Sequence, residues 1–107
     1  MSETAFTPHN GALEAIAAER QRQIDSEGWT PEHDDEHRHG EMAGAAACYV
    51  LDGMGPLRMP GLFMMLWPWD TGWWKPSDRR RNLVKAAALI VAEIERLDRA
   101  ALTKAGQ

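Results

Sequence analysis

Four of the five tryptophans fall within the run Trp67-Pro68-Trp69-Asp70-Thr71-Gly72-Trp73-Trp74-Lys75-Pro76, and Arg79-Arg80-Arg81 follows almost at once. Indoles offer rigid faces on which a nucleobase can stack, and guanidinium groups pair with phosphate in bidentate fashion. The combination points to nucleotide chemistry, with Trp69, Trp73, Trp74, Lys75, Arg79 and Arg80 as candidate contacts. A plainer alternative is that the tryptophans close the open end of a helical bundle. The two are compatible, because an indole can pack one face inward and present the other. Arginines in the first turn of a helix are mildly unfavourable for the helix itself but favourable when an anion occupies its start. Pairing with Asp78 or with the acidic segment described next is the competing explanation.

The second chemical feature is Glu32-His33-Asp34-Asp35-Glu36-His37-Arg38-His39-Gly40-Glu41. Magnesium takes carboxylate oxygens, and helical spacing puts His37 and Glu41 one turn apart on one face. Asp34, Asp35, His37 and Glu41 are therefore candidate metal ligands. Equally, Asp34 or Asp35 can simply cap a helix N-terminus. His33 and His39 read as exposed polar residues rather than ligands.

Three helices must position these groups. The first is expected from about Gly11 to Glu27, with Leu13, Ile16, Ala17 and Ile24 on one stripe and the polar run Glu19-Arg20-Gln21-Arg22-Gln23 largely on the other. Asn10 suits its N-cap and Gly28 its stop. The second is expected from near Glu36 to about Asp52, with small residues that admit a close neighbour. Pro76-Ser77 opens the third, in which Leu83, Ala87, Ile90, Ile94, Leu97 and Ala101 alternate spacings of four and three. So regular a seam expects a helical partner. The connection from about Gly53 to Lys75 is too long to be idle and must gain order by packing. Gly53, Gly55, Pro56, Pro60 and Gly61 punctuate it, and Leu62-Phe63-Met64-Met65-Leu66 suits a short helical turn. The reading is all-α: one domain over residues 1–107, with a flexible segment 1–10, three main helices and a short fourth in the connection 53–76.

Composition narrows the class. The 107 residues suit one core, and a net charge of −4 argues against a duplex-DNA binder, which needs a broad basic face. The lone Cys48 lies in an apolar stretch, where it reads as core filler in a cytoplasmic protein. Neither a membrane span nor a hydrophobic signal region is visible.

The layout Glu19-Arg20-Gln21-Arg22-Gln23, Glu27-Gly28-Trp29, Gly40-Glu41-Met42-Ala43 with Ala45-Ala46, and Leu83-Val84-Lys85-Ala86-Ala87-Ala88 through Glu93-Ile94-Glu95-Arg96-Leu97 resembles small MazG-like proteins of the all-α nucleotide pyrophosphohydrolases. The fuller pattern, including Thr30-Pro31-Glu32-His33-Asp34-Asp35 and Trp67-Pro68-Trp69, is similar to a group of small phage and prophage proteins. The resemblance implies a helical bundle that dimerises or tetramerises, binds nucleoside triphosphates through Mg2+ and hydrolyses between the α and β phosphates.

In that superfamily two acidic pairs on successive helices hold the metal. Here Glu41 fits one position, while His37 and Arg38 stand where the preceding acids would be, and Asn82 and Lys85 where the second pair would be. Cations there repel magnesium, although Glu93, Asp34 or Asp35 offer replacement carboxylates. A site that has exchanged acids for bases can hold phosphate through Arg38 and Lys85 directly. The expectation is a non-catalytic binder of a nucleotide or nucleotide-derived signal in which Arg38, Glu41, Lys85 and Glu93 share a pocket under the tryptophans, with Asn82 a further contact. Two alternatives stay open: a magnesium-dependent pyrophosphohydrolase using Glu41, Glu93 and Asp34 or Asp35, and a module that binds a host protein. A homodimer is expected in each case, since the seam needs covering.

Overall fold

An aspartate and a heptad repeat build the longest element of the fold. In a computed structural model, which describes residues 10–52 and 60–106, Asp78 accepts a hydrogen bond from the Arg81 amide at 2.8 Å and so caps the start of a 27-residue helix, Arg79–Ala105. Every regular element among the described residues is helical: α1 (Asn10–Glu27), α2 (Pro31–Asp34), α3 (Glu41–Leu51), α4 (Pro60–Leu66), a 3-10 turn at Thr71–Trp73 and α5 (Arg79–Ala105). The all-α expectation holds, and α4 is the short helix expected in the long connection. No described helix is long and apolar enough to cross a membrane. Gly53, Gly55, Pro56 and the N-terminal residues 1–9 lie outside the described residues.

Helix α1 stops where expected. Gly28 takes a left-handed φ of 77°, and the Trp29 amide donates back to the Gln23 carbonyl at 3.0 Å, closing the last turn. The second helix does not begin at Glu36. Thr30 accepts from the His33 amide and, with Pro31 in the first turn, starts the separate helix α2, so neither Asp34 nor Asp35 is the cap. Tight turns at Glu36 and His37 follow, and Gly40 at φ 83° redirects the chain into α3.

The core lies between α3 and α5, with α1 on α5 and α4 on α3. Ala45, Ala46, Ala86, Ala88 and Ala92 let α3 and α5 approach closely, while Met42, Tyr49 and Leu89 fill the volume between. Trp67 stacks on Phe63 at 5.8 Å, and Trp74 lies 4.6 Å from Tyr49, so these two indoles close one end of the bundle. Gly44 marks a close crossing: a Cβ there would fall 2.5 Å from the Leu66 carbonyl oxygen. Burial pushes the Cys48 thiol up to about 11, in keeping with a filler role.

Two faces differ from expectation. On α1 the polar face is the inner one: Glu19, Arg20 and Gln23 are buried, whereas Leu13 is exposed. Ion pairs with α2 and α5 make this tolerable, since a buried charge must find a partner. On α5 the buried face is Val84, Ala86, Ala88, Leu89 and Ala92, while Leu83, Ile90, Ile94 and Leu97 are exposed. No described element covers the heptad seam.

Candidate functional site

The chain from Trp67 to Trp74 turns sharply because its own polar groups pin it. Trp67 Nε1 donates to the Asp70 carbonyl at 3.1 Å, the Trp73 amide donates to the same oxygen at 3.0 Å, and the Trp74 amide donates to Thr71. The turn buries Trp67 and half-buries Trp74, but it carries Trp69 and Trp73 towards Trp29 on the α1–α2 connection. Their ring centroids lie 5.4 and 6.4 Å from that of Trp29. These three indoles, with His33 and His37, line an open cleft of about 350 Å³. Trp73 remains 41% exposed. The remaining lining includes Glu27, Glu36 and Asp70, so this cleft is aromatic and acidic, and among the described residues neither lysine nor arginine lines it.

Cations lie next to it. Glu27, Trp29 and Trp73 also border a narrow channel, with about 10 Å³ of free volume, that Glu19, Arg22, Gln23, Tyr49, Lys75 and Lys85 line as well. Lys75 Nζ stands 5.6 Å from the centre of the Trp73 ring and 3.4 Å from Glu27 Oε1. Lys85 Nζ donates to the Lys75 carbonyl at 2.6 Å and lies 5.6 Å over Tyr49, whose hydroxyl accepts from the Lys75 amide. Burial holds the Lys85 amine below the ordinary lysine range, and the charge of Arg81 adds to this.

Glu19 is a buried member of the channel's lining. Its carboxylate accepts from Arg22 at 2.8 Å, from Gln23 at 3.1 Å and from Arg81. Burial by itself pushes this carboxyl up, but hydrogen bonds and charge from Arg22, then Arg81 and Gln23, outweigh it and hold Glu19 below the usual carboxylate range. Two buried polar atoms of residues that border these spaces, Gln23 Oε1 and Trp69 Nε1, have no hydrogen-bond partner. A close-packed core rarely leaves such groups unpaired.

The structure divides the residues singled out in the sequence among several places. Trp69, Trp73, Lys75 and Lys85 border the cleft and channel, while Trp74 belongs to the core. Arg79 donates to the Val50 and Asp52 carbonyls, closing the end of α3, and Arg80 is exposed. Asn82 is buried, donating to Asp52 and Ser77 and accepting from the Ser77 amide, so it ties a connection rather than facing a ligand. Arg38 does not join Lys85. It lines a different groove, with Asp35, Arg96, Arg99 and Lys104 along the C-terminal half of α5. The pocket expected to join Arg38, Glu41, Lys85 and Glu93 is therefore split, since Arg38 and Lys85 line different spaces.

The candidate metal carboxylates are engaged by cations or amides. Asp34 pairs with Arg20 at 2.6 Å, Asp35 with Arg99 at 2.8 Å and Glu93 with Arg96 at 2.8 Å. Glu41 accepts from the His39 amide at 2.7 Å and stands 3.8 Å from His37. Burial raises the Glu41 carboxyl, but hydrogen bonds from backbone amides and the nearby histidines bring it below its ordinary value. Among the described residues no group of three or more His, Cys, Asp or Glu side chains is arranged to hold a metal ion.

Sequence reasoning missed Trp29, His33, Glu19 and Gln23. An isolated tryptophan just after a helix-stopping glycine, and two histidines four residues apart, were the available signals for the first two. No protein-family model matches the chain, and neither a curated protein nor a solved structure shows significant similarity to it.

Proposed function

We propose that this protein binds a nucleotide or nucleotide-derived signal without hydrolysing it, as a MazG-like protein of the phage type would after losing its metal site. The base stacks among Trp29, Trp69 and Trp73, and the phosphates lie along Lys75, Lys85 and Arg22. One observation carries this reading: Trp73 borders both the aromatic cleft and the channel in which Arg22, Lys75 and Lys85 lie beside Glu19 and Glu27, keeps much of its ring exposed, and has Lys75 above it. A stacking surface and phosphate-binding cations thereby adjoin, each supplying what the other lacks.

Binding without hydrolysis is favoured because Lys85 and Asn82 replace two expected carboxylates, and because Asp34, Asp35 and Glu93 already neutralise arginines. Such a protein would sequester its ligand in the cytoplasm, as a homodimer joined through the exposed seam of α5. The host-protein reading retains one supporting observation, the exposed pair Met64 and Met65 on α4.

Calorimetry with nucleoside triphosphates, with and without Mg2+, tests the proposal. Saturable binding that Trp73→Ala and Lys85→Ala each weaken, with no pyrophosphate released, is the expected result. Absence of binding in both conditions overturns it. Pyrophosphate release that chelator and Glu41→Ala abolish selects the magnesium-dependent enzyme instead.

A further inference from the structure

His33 and His37 stand at the rim of the aromatic cleft, and their Nε2 atoms are 3.2 Å apart. The ring centroids are 4.5 Å apart, so the Nε2 edges lean towards one another. Each opposite nitrogen faces a carboxylate. His33 Nδ1 lies 3.2 Å from Asp34 Oδ1, while Arg20 holds the other Asp34 oxygen at 2.6 Å. His37 Nδ1 lies 3.8 Å from Glu41 Oε2, while the His39 amide holds the other Glu41 oxygen at 2.7 Å.

We propose that His33 and His37 form an open two-imidazole site for a divalent transition metal of the zinc class. Two features of the pair favour this. Zinc–nitrogen bonds of about 2.0–2.1 Å at a tetrahedral angle put two ligand nitrogens about 3.3 Å apart, close to the separation found here. Metal-binding histidines also characteristically turn their second nitrogen to a carboxylate, which orients the ring and raises its basicity. Asp34 occupies that outer position for His33, and Glu41 stands within ion-pair range of His37. Glu36 and Asp70 on the same cleft add negative charge that favours a dication.

Imidazole donors select zinc, copper or nickel over magnesium, so this site differs in kind from the carboxylate centre expected by resemblance. With two protein donors the remaining coordination positions open into the cleft, where water or a donor atom of the bound ligand completes the sphere. Trp29 lies nearly parallel to His33, at 6.3 Å and 11°, and Trp69 meets His37 edge-on at 5.5 Å. These rings buttress the pair and make a built-in fluorescent reporter.

The test uses the full chain, free of any affinity-tag histidines, with the metal alone. Calorimetry is expected to give one equivalent of Zn2+, and Co2+ is expected to quench tryptophan emission, with no response to Mg2+. Either His33→Ala or His37→Ala should weaken Zn2+ binding at least about tenfold, the lower end of the effect seen when a partner of a metal-binding histidine is removed. Zinc should also shift the Nε2 resonances of both histidines in the unaltered protein, a readout that does not depend on how the variants fold. No zinc binding, unshifted Nε2 resonances, or undiminished binding by the double variant overturns the proposal and leaves the pair as a hydrogen bond only. Nucleotide titration in the presence of chelator is read separately, so failure of one result leaves the other standing.

Discussion

Arg20 on α1 places Nη2 2.6 Å from Oδ2 of Asp34 on α2, with both side chains almost wholly removed from solvent. The same guanidinium donates to the Trp29 carbonyl at 3.0 Å, so one arginine fixes both the backbone under the aromatic cleft and the carboxylate beside His33. Removing one partner of a buried pair leaves the other charged and unsolvated. Arg20→Met is therefore expected to cost about 3–5 kcal/mol in urea denaturation. A double variant, Arg20→Met with Asp34→Leu, should recover part of that loss. A cost below about 1 kcal/mol for the single variant would show that the pair does not organise the site.

Glu19 links stability to pH. Its carboxyl is held below the ordinary value of 4.5 despite the opposing effect of burial, because Arg22, Arg81 and Gln23 favour the charged form. A carboxyl depressed in the folded state stabilises the protein above its unfolded value, and that contribution disappears as pH falls through the folded value. Thermal unfolding should therefore show a loss of stability setting in below about pH 4.5 and deepening with further acid. Glu19→Gln should be less stable near neutral pH and show a flatter acid limb. Parallel acid limbs for the two proteins would contradict the assignment.

What could be read from the sequence followed local rules. Gly28 stops α1 through a left-handed φ, and the apolar run at Leu62–Leu66 forms α4, both from signals within a few residues. Pro76-Ser77 signals an earlier start for α5, whereas Asp78 caps it and the helix begins at Arg79. Which face of α1 points inward was not legible. Periodicity defines two faces without saying which is buried, and the answer depends on Arg81, 62 residues further on, and on Asp34. The cleft was half legible for a similar reason. Trp69 and Trp73 announced a stacking surface, but Trp29 and the histidines join it only through the turn that Trp67 pins to Asp70.

The tryptophans divide into two energetic classes. Trp67 is buried among Phe63, Tyr49 and Trp74, so Trp67→Ala should cost about 3–5 kcal/mol of stability. Trp73 is exposed at the cleft mouth, and Trp73→Ala should change stability by no more than about 0.5 kcal/mol while weakening nucleotide binding by about 1–3 kcal/mol. Chemical denaturation and calorimetry on both variants separate the effects. Equal loss of stability from both would return the whole run to a structural role.

Gly44 sets the distance between α3 and α4. A Cβ at this position meets the Leu66 carbonyl oxygen at 2.5 Å, and that atom is backbone, which cannot rotate away. Gly44→Ala should gain some helix propensity yet lose about 1–3 kcal/mol overall through displacement of α4. Gly61, also helical, supplies the control, because a Cβ added there would meet nothing within 4 Å. Gly61→Ala should be neutral or slightly stabilising, and a stabilising Gly44→Ala would mean that α4 repacks freely.

The exposed seam of α5 makes a prediction about assembly. Leu83, Ile90, Ile94 and Leu97 recur at heptad spacing on the face opposite the monomer core, and Ile94 and Leu97 are each 51% exposed. A heptad stripe is complementary to a second copy of itself, because the side chains of one helix fill the holes of the other. A helix of this length spans about 40 Å, enough for several such layers. Analytical ultracentrifugation should therefore show a dimer for the unaltered protein. Ile94→Lys should shift it to monomer, since a charge in the centre of the seam would be buried unpaired on association. Its helical circular dichroism should persist, because Ile94 takes no part in the monomer core. A protein that remains monomeric at every concentration reached, or an Ile94→Lys variant that dimerises as tightly as the original, would show that the stripe serves another purpose.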